Sequence, residues 1–311
     1  MDKYTAECVE GTKELLKSDR YLNEGKNFNI YSRFYIHTNE NINGYLNMID
    51  LSKIDSSLSV MGSGDHIFNL ISNDIMNIDT FDINKLSEYF ALGIKKSIIL
   101  KYSYQDFLYI IKKLYDKNTP KEEICEIVLG LLPYMDLKYK QFWNEILNYY
   151  FNNPMVFDLN NNLFGLLCFS SKNDSSIIKN NYLQNEENYN ALKNRISSAN
   201  ISFKCCDAIN LPQVFNKKYD CILLSNILDY FYHIWGFSWQ YSNLKEYEKA
   251  LEKICNPNSL LFLNYVFVIS RRLFVYSDLK EEDLTDEKII TFPSIVYPFA
   301  EDAMILKRVN K

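Results

Sequence analysis

The sequence predicts an α/β fold with a central, mostly parallel sheet and a helical insertion, and three observations carry that expectation. Short β runs closed by turn residues recur at Ser57–Met61, Asn77–Phe81, Ile201–Asp207, Tyr219–Ser225 and Ser259–Val268. Stretches of helical spacing alternate with them, as in βαβ units. Tyr219–Ser225 (YDCILLS) reads as a central strand buried on both faces, the pattern of parallel sheets. The predicted organisation is an N-terminal helical segment and lid over 1–56, an α/β domain over 57–100 and 182–311, and a helical insertion over 101–181.

The chain is organised around Ser57–Asn84, which reads as strand, glycine turn, short helix, strand and a final acid. Ser57–Met61 is closed by Gly62-Ser63-Gly64-Asp65, where glycines let the backbone turn sharply and approach a ligand. His66–Ser72 then opens a helix whose free N–H groups face the turn. The next strand ends in Asp82, about 20 residues beyond the glycines, where a carboxylate can accept both hydroxyls of a ribose. The plainer alternative is an ordinary strand-to-helix turn with Asp82 as a helix cap. No third glycine completes a dinucleotide fingerprint, and Asp65 would repel a pyrophosphate while suiting an ammonium group. Adenosine joined to an amino-acid tail is S-adenosylmethionine, so that is the expected cofactor, with NAD disfavoured.

Upstream, a helix is expected over Thr5–Lys17, and Phe34–Asn41 is dense in hydrogen-bonding side chains. Thr38 or Asn39 could cap a helix over Ile42–Ile49, or the segment could form a lid with Glu40 or Asn41 pointing inward. Downstream, Asn84 can cap a helix from about Lys85 to Leu100, with Leu86, Phe90, Ile94 and Ile98 on one face. Gly93 inside it points to close packing. Residues 101–180 carry helical patterns, including Tyr102–Lys117 and a helix begun by Pro120. Asn188–Ser198 reads as a helix, and Ile201–Asp207 ends in an acid that either reads an adenine amino group or makes a strand-end turn. Tyr219–Ser225 delivers Ser225-Asn226 and Asp229-Tyr230 at its carboxyl end, where ligands bind in open α/β sheets. Leu244–Ile254 is an amphipathic helix stopped by Asn256-Pro257-Asn258. Ile289–Pro298 and Ala303–Val309 can close the sheet as an antiparallel pair.

Composition excludes several classes. In 311 residues the net charge is −5, so no basic field exists to hold nucleic acid. Hydrophobic content of 47% and aromatic content of 15% belong to a folded globule. Seven cysteines without a C-x-x-C pair favour free thiols in a reducing compartment. Three histidines without paired spacing argue against a zinc site. The polar N-terminus is not a signal peptide and the longest apolar run is too short to span a bilayer, so a cytoplasmic location is expected. Oligomeric state is not readable.

Together, Thr38-Asn39-Glu40-Asn41, Gly62-Ser63-Gly64-Asp65, Phe81-Asp82-Ile83-Asn84 and Leu224-Ser225-Asn226 with Asp229-Tyr230 resemble class I S-adenosylmethionine-dependent transferases. Within them the chain looks most similar to the 3-amino-3-carboxypropyltransferases of betaine-lipid synthesis and their bacterial relatives, over roughly residues 35–107 and 200–265. Asp65 stands where that family often has glycine, and Lys95 is displaced from its acidic-Leu-Lys element. The resemblance implies a Rossmann-like class I methyltransferase fold. It implies that Gly62, Ser63, Gly64 and Asp65 meet the methionine moiety, Asp82 the ribose with Asn84 beside it, Asp207 the adenine, and Ser225 and Asn226 the sulfonium side. Methyl or aminocarboxypropyl transfer to a small-molecule or lipid acceptor is then expected, with Asp229, Tyr230 and Glu40 as candidate bases. A binding protein without chemistry, a sensor or partner subunit, is the alternative.

Overall fold

The computed structural model describes residues 1–17, 30–116, 118–153, 162–169, 180–228, 241–268, 287–297 and 299–309. Its frame is a seven-stranded sheet: β1 (Ser56–Val60), β2 (Asn77–Asp82), β3 (Asn200–Cys205), β4 (Tyr219–Leu223), β5 (Cys255–Val266), β6 (Glu287–Pro293) and β7 (Glu301–Arg308). The spatial order is β3-β2-β1-β4-β5-β7-β6. The first five strands pair in parallel, and β7 joins antiparallel to both β5 and β6. Strand order reverses between β1 and β4, so the crevice of this open sheet lies at their carboxyl ends. This is a Rossmann-like α/β fold, the mostly parallel sheet expected from the sequence.

Side chains alternate across the sheet as the two-residue period requires. Leu58, Val60, Phe81, Ile222 and Leu224 pack into one buried cluster, and Met61, Ile78, Cys221, Leu223 and Phe262 into the other, larger one. Two cores on opposite faces explain why β1 and β4 are buried along nearly their whole length. β3, at the edge, alternates exposed and half-buried residues.

Between β2 and β3 most of the described residues are helical. After α1 (Lys3–Lys17), α2 (Ile42–Leu46) and α3 (Asp65–Ser72), α4 (Lys85–Glu88) runs into a seven-residue π-helix, Tyr89–Lys95, and then α5 (Lys96–Lys101). Longer helices follow at Tyr104–Tyr115, Lys121–Leu131 and Leu137–Asn152. The π-turn could not be read from periodicity because every residue of Tyr89–Lys95 is buried, which leaves no polar face to mark the register. Trp143 Nε1 donates to Tyr89 O at 2.9 Å, satisfying a carbonyl in the widened turn. A Cβ on Gly93 would lie 2.8 Å from that same indole nitrogen, so the close packing expected of Gly93 is there.

Two boundaries differ from the sequence expectation. Asn256-Pro257-Asn258 does not separate helix from strand; it lies inside β5, where the register jumps from Tyr219↔Cys255 to Cys221↔Leu260. The extra residues form a bulge, which frees the proline from ladder donation, and Asn258 adopts φ 65. At β3 the strand ends at Cys205, and Asp207 caps the turn that follows, accepting from Ile209 N at 3.1 Å. No helix among the described residues is long and apolar enough to cross a membrane.

Candidate functional site

The site begins at the end of β1. Met61–Gly64 forms a turn closed by Gly64 N donating to Met61 O at 2.7 Å. Gly62 and Gly64 have φ of 46 and 84, the left-handed region that side chains strain to occupy. A Cβ on Gly62 would meet nothing within 4 Å, whereas one on Gly64 would lie 2.9 Å from both Ala91 Cβ and Phe68 Cε2. Gly62 therefore borders open space and Gly64 is packed against the helices.

That space is a cavity of ≈ 230 Å³ running along the carboxyl edge of the sheet. Val60, Phe81, Ile83, Ala208 and Ile227 give it apolar walls, and Arg33, Phe34 and Tyr35 close it from the lid side. Gly62, Ser63, Asp82, Asn84, Asp207, Ser225, Asn226 and Glu40 all line it. The residues proposed for four separate parts of one ligand are thus brought together. Asp229 and Tyr230 lie outside the described residues.

Asp82 sits at the strand end with Oδ2 accepting from Gly62 N at 3.1 Å and Oδ1 from Asn84 N at 2.9 Å. Burial pushes its carboxyl above the ordinary value, and donors from Asn84, Ser87 and Gly62 offset only part of that. Asn84 caps α4, accepting from Leu86 N at 3.1 Å, while its Nδ2 donates to Ser32 O at 2.9 Å and Arg33 O at 3.3 Å. It fixes the lid strand against the strand end. A two-residue parallel pairing of Phe34–Tyr35 with Cys168–Phe169 ties the same strand to the chain beyond the helices.

Asp65 and Gly64 do not line the cavity. The Asp65 carboxylate is fully buried and occupied by protein donors: Lys95 Nζ at 2.5 Å and Tyr182 OH at 2.6 Å on Oδ1, Ser63 Oγ at 2.8 Å and Thr38 N at 2.6 Å on Oδ2. Burial alone would raise its pKa; Lys95, Tyr182 and the Thr38 N–H reverse that and hold it below the usual carboxylate range. Lys95 also donates to Ile36 O at 2.9 Å and Ser63 O at 3.2 Å. Asp65 thus clamps the lid, the glycine turn and the π-helix together, which leaves no lone pair directed to a ligand ammonium.

The inward-pointing acid of the lid is Glu40. It is 2% exposed; its Oε1 accepts from Ser225 Oγ, and its Oε2 lies 3.0 Å from His66 Nε2. Asn41 instead caps α2 (Ile42–Leu46) and hangs from the sheet through Tyr265 OH, to which its N–H donates at 2.9 Å. The expected caps Thr38 and Asn39 yield that place to Asn41. Two cavity residues, His66 and Arg33, were not singled out from sequence. The usable signal for His66 was its place in the first turn after the glycines. Among the described residues no group of three or more His, Cys, Asp or Glu could hold a metal ion.

No protein-family model matches the chain, and no curated protein matches it in sequence. Among solved structures it is similar to the N-methyltransferase NodS from Bradyrhizobium japonicum WM9, at 8% identity and a TM-score of 0.38, over 86% of this chain and 94% of that one.

Proposed function

We propose that the chain is an S-adenosylmethionine-dependent transferase. One observation carries the reading: a single cavity holds Asp207 at β3, Asp82 at β2, the Gly62 turn at β1 and Glu40 with Ser225 at β4, in that order along the sheet. Three carboxylates, Glu40, Asp82 and Asp207, line the cavity with one guanidinium, Arg33, a balance that favours a cationic nucleoside and disfavours a pyrophosphate. The open space at Gly62 and the apolar walls fit a nucleoside laid across the strand ends.

In this reading Asp207 stands at the adenine, Asp82 takes the ribose hydroxyls, Gly62 and Ser63 border the amino-acid tail, and Ser225 and Asn226 flank the sulfur. Bound S-adenosylmethionine would supply a carbon activated toward an acceptor's lone pair, with the C–S electron pair returning to sulfur as its charge is lost. The chain's own residues orient the two partners and exclude water. The transferred group is methyl or 3-amino-3-carboxypropyl, and the acceptor is a small molecule or lipid. Asp229 and Tyr230, which follow β4 in sequence, are the proposed acceptor-side residues, where a base would take the acceptor's proton.

Calorimetry with S-adenosylmethionine and NAD tests the reading. Binding of the first and not the second is expected; micromolar NAD binding without S-adenosylmethionine binding would sink it. Binding without consumption of S-adenosylmethionine in cell extract would instead identify a sensor or partner subunit.

A further inference from the structure

Glu40 lines the cavity at 2% exposure, yet the only basic group paired with its carboxylate among the described residues is the His66 imidazole. Ser225 Oγ and His66 Nε2 take one direction on each oxygen. A carboxylate offers about four acceptor directions, so roughly half of its capacity stays open. His66 is itself buried and lines the cavity, and its Nδ1 has no hydrogen-bond partner. With Glu40 ionised, and so only an acceptor, Nε2 would carry the hydrogen that faces it. A buried carboxylate without a lysine or arginine is costly unless something else completes its charge.

The location says what that is. Ser225 follows β4 and His66 belongs to α3 (Asp65–Ser72), the helix after β1, so Glu40 bridges the β1/β4 switch point. Asp207 lies at β3, three strand spacings from β4, or roughly 14 Å. A nucleoside with its base toward Asp207 and its ribose at Asp82 brings its 5′ substituent to Glu40. Ser225 is held at φ 60, a conformation unusual for a residue with a side chain, by Tyr265 N donating to its carbonyl at 2.8 Å and by its own hydroxyl on Glu40. Such outliers persist where the surroundings over-determine them, often at ligand sites.

We propose that Glu40, oriented by Ser225 and His66, is the counter-charge for the cationic sulfur and sets the preference of the site for a sulfonium over a thioether. The proposal rests on the reading of the ligand as S-adenosylmethionine. It also gives a route to product release: once sulfur is neutral, the buried carboxylate loses its partner and the thioether is held more weakly.

The test is calorimetry on the full chain with four probes: S-adenosylmethionine, S-adenosylhomocysteine, 5′-methylthioadenosine, and sinefungin, which carries an amine cation in place of the sulfonium. The wild type should bind the two probes charged at that position about 10-fold or more tighter than S-adenosylhomocysteine, the scale of a charge-assisted contact. Glu40→Gln should abolish that ratio while leaving S-adenosylhomocysteine and methylthioadenosine within about 3-fold. Glu40→Asp should recover part of it. If Glu40→Gln does not fold, Ser225→Ala, which removes the orienting hydroxyl, should lower the same ratio. Equal wild-type affinity for S-adenosylmethionine and S-adenosylhomocysteine would overturn the proposal and leave the cofactor reading standing. So would equal weakening of both by Glu40→Gln with methylthioadenosine spared, which would place the amino-acid ammonium at Glu40. Binding of none of the four by the wild type would overturn the cofactor reading and the proposal with it.

Discussion

Two buried acids flank the glycine turn, and they are opposites. Asp65 is closed: four protein donors, one of them the ammonium of Lys95, fill its two oxygens. Glu40 is open: a hydroxyl and an imidazole steady it, and it borders the cavity. The same chemical group serves as a clamp in one place and as a wall of the cavity in the other. What separates them is partner supply, since burial is nearly equal at 0% and 2%.

The sharpest way to break the contrast is to remove one partner from each. Lys95→Ala leaves Asp65 as an unpaired buried charge and should cost about 3–5 kcal/mol of stability. Glu40→Gln removes a charge that has no lysine or arginine, and its unfolding free energy should stay within about 1 kcal/mol of wild type. Urea unfolding of both variants decides; a mild Lys95→Ala would mean that Asp65 is not the clamp described.

The glycines repeat the contrast on a smaller scale. Gly64→Ala combines left-handed strain with overpacking against Ala91 and Phe68 and should cost about 2–4 kcal/mol. Gly62→Ala meets only the strain, about 1–2 kcal/mol, and its methyl enters the cavity. Thermal melts should therefore rank Gly64→Ala as the worse folder, and ligand titration should rank Gly62→Ala as the worse binder. A reversed ranking would place the open face of the turn elsewhere.

Asp82 lies between the two types, with backbone donors on both oxygens and a place on the cavity wall. Asp82→Ala should weaken S-adenosylmethionine by about 1–3 kcal/mol with the fold intact. Normal binding by a folded variant would reduce Asp82 to a brace for the Gly62 turn.

Acid titration offers the finest comparison. Burial raises the Asp82 pKa, so the protonated form favours folding, and that share of stability is lost as pH rises from about 3.9 through the raised value. Asp65 is lowered, so its share is present above about 3.9 and is lost as pH falls through its folded value. Denaturant midpoints across the acid range should show Asp82→Asn flattening the upper slope and Asp65→Asn the lower one. Identical profiles for the two variants would contradict the opposite environments described.

The chain by itself determined whatever short-range chemistry encodes. Apolar runs closed by turn residues marked the five parallel strands, the Gly62 and Gly64 positions marked the turn, and the acids at strand ends, Asp82 and Asp207, marked positions that line the cavity. Cap residues Asn84 and Pro120 and the face of Leu86, Phe90, Ile94 and Ile98 were legible for the same reason: each depends on neighbours within a turn or two. Tertiary structure alone decided which acid lines the cavity. Asp65 is claimed by Lys95, 30 residues on, and by Tyr182, 117 residues on, while Glu40 meets a hydroxyl 185 residues away. The π-turn and the β5 bulge are likewise settled by packing against Trp143 and by register with β4. A local pattern can show that a carboxylate stands near a site, but its charge state and reach depend on donors that only the folded chain delivers.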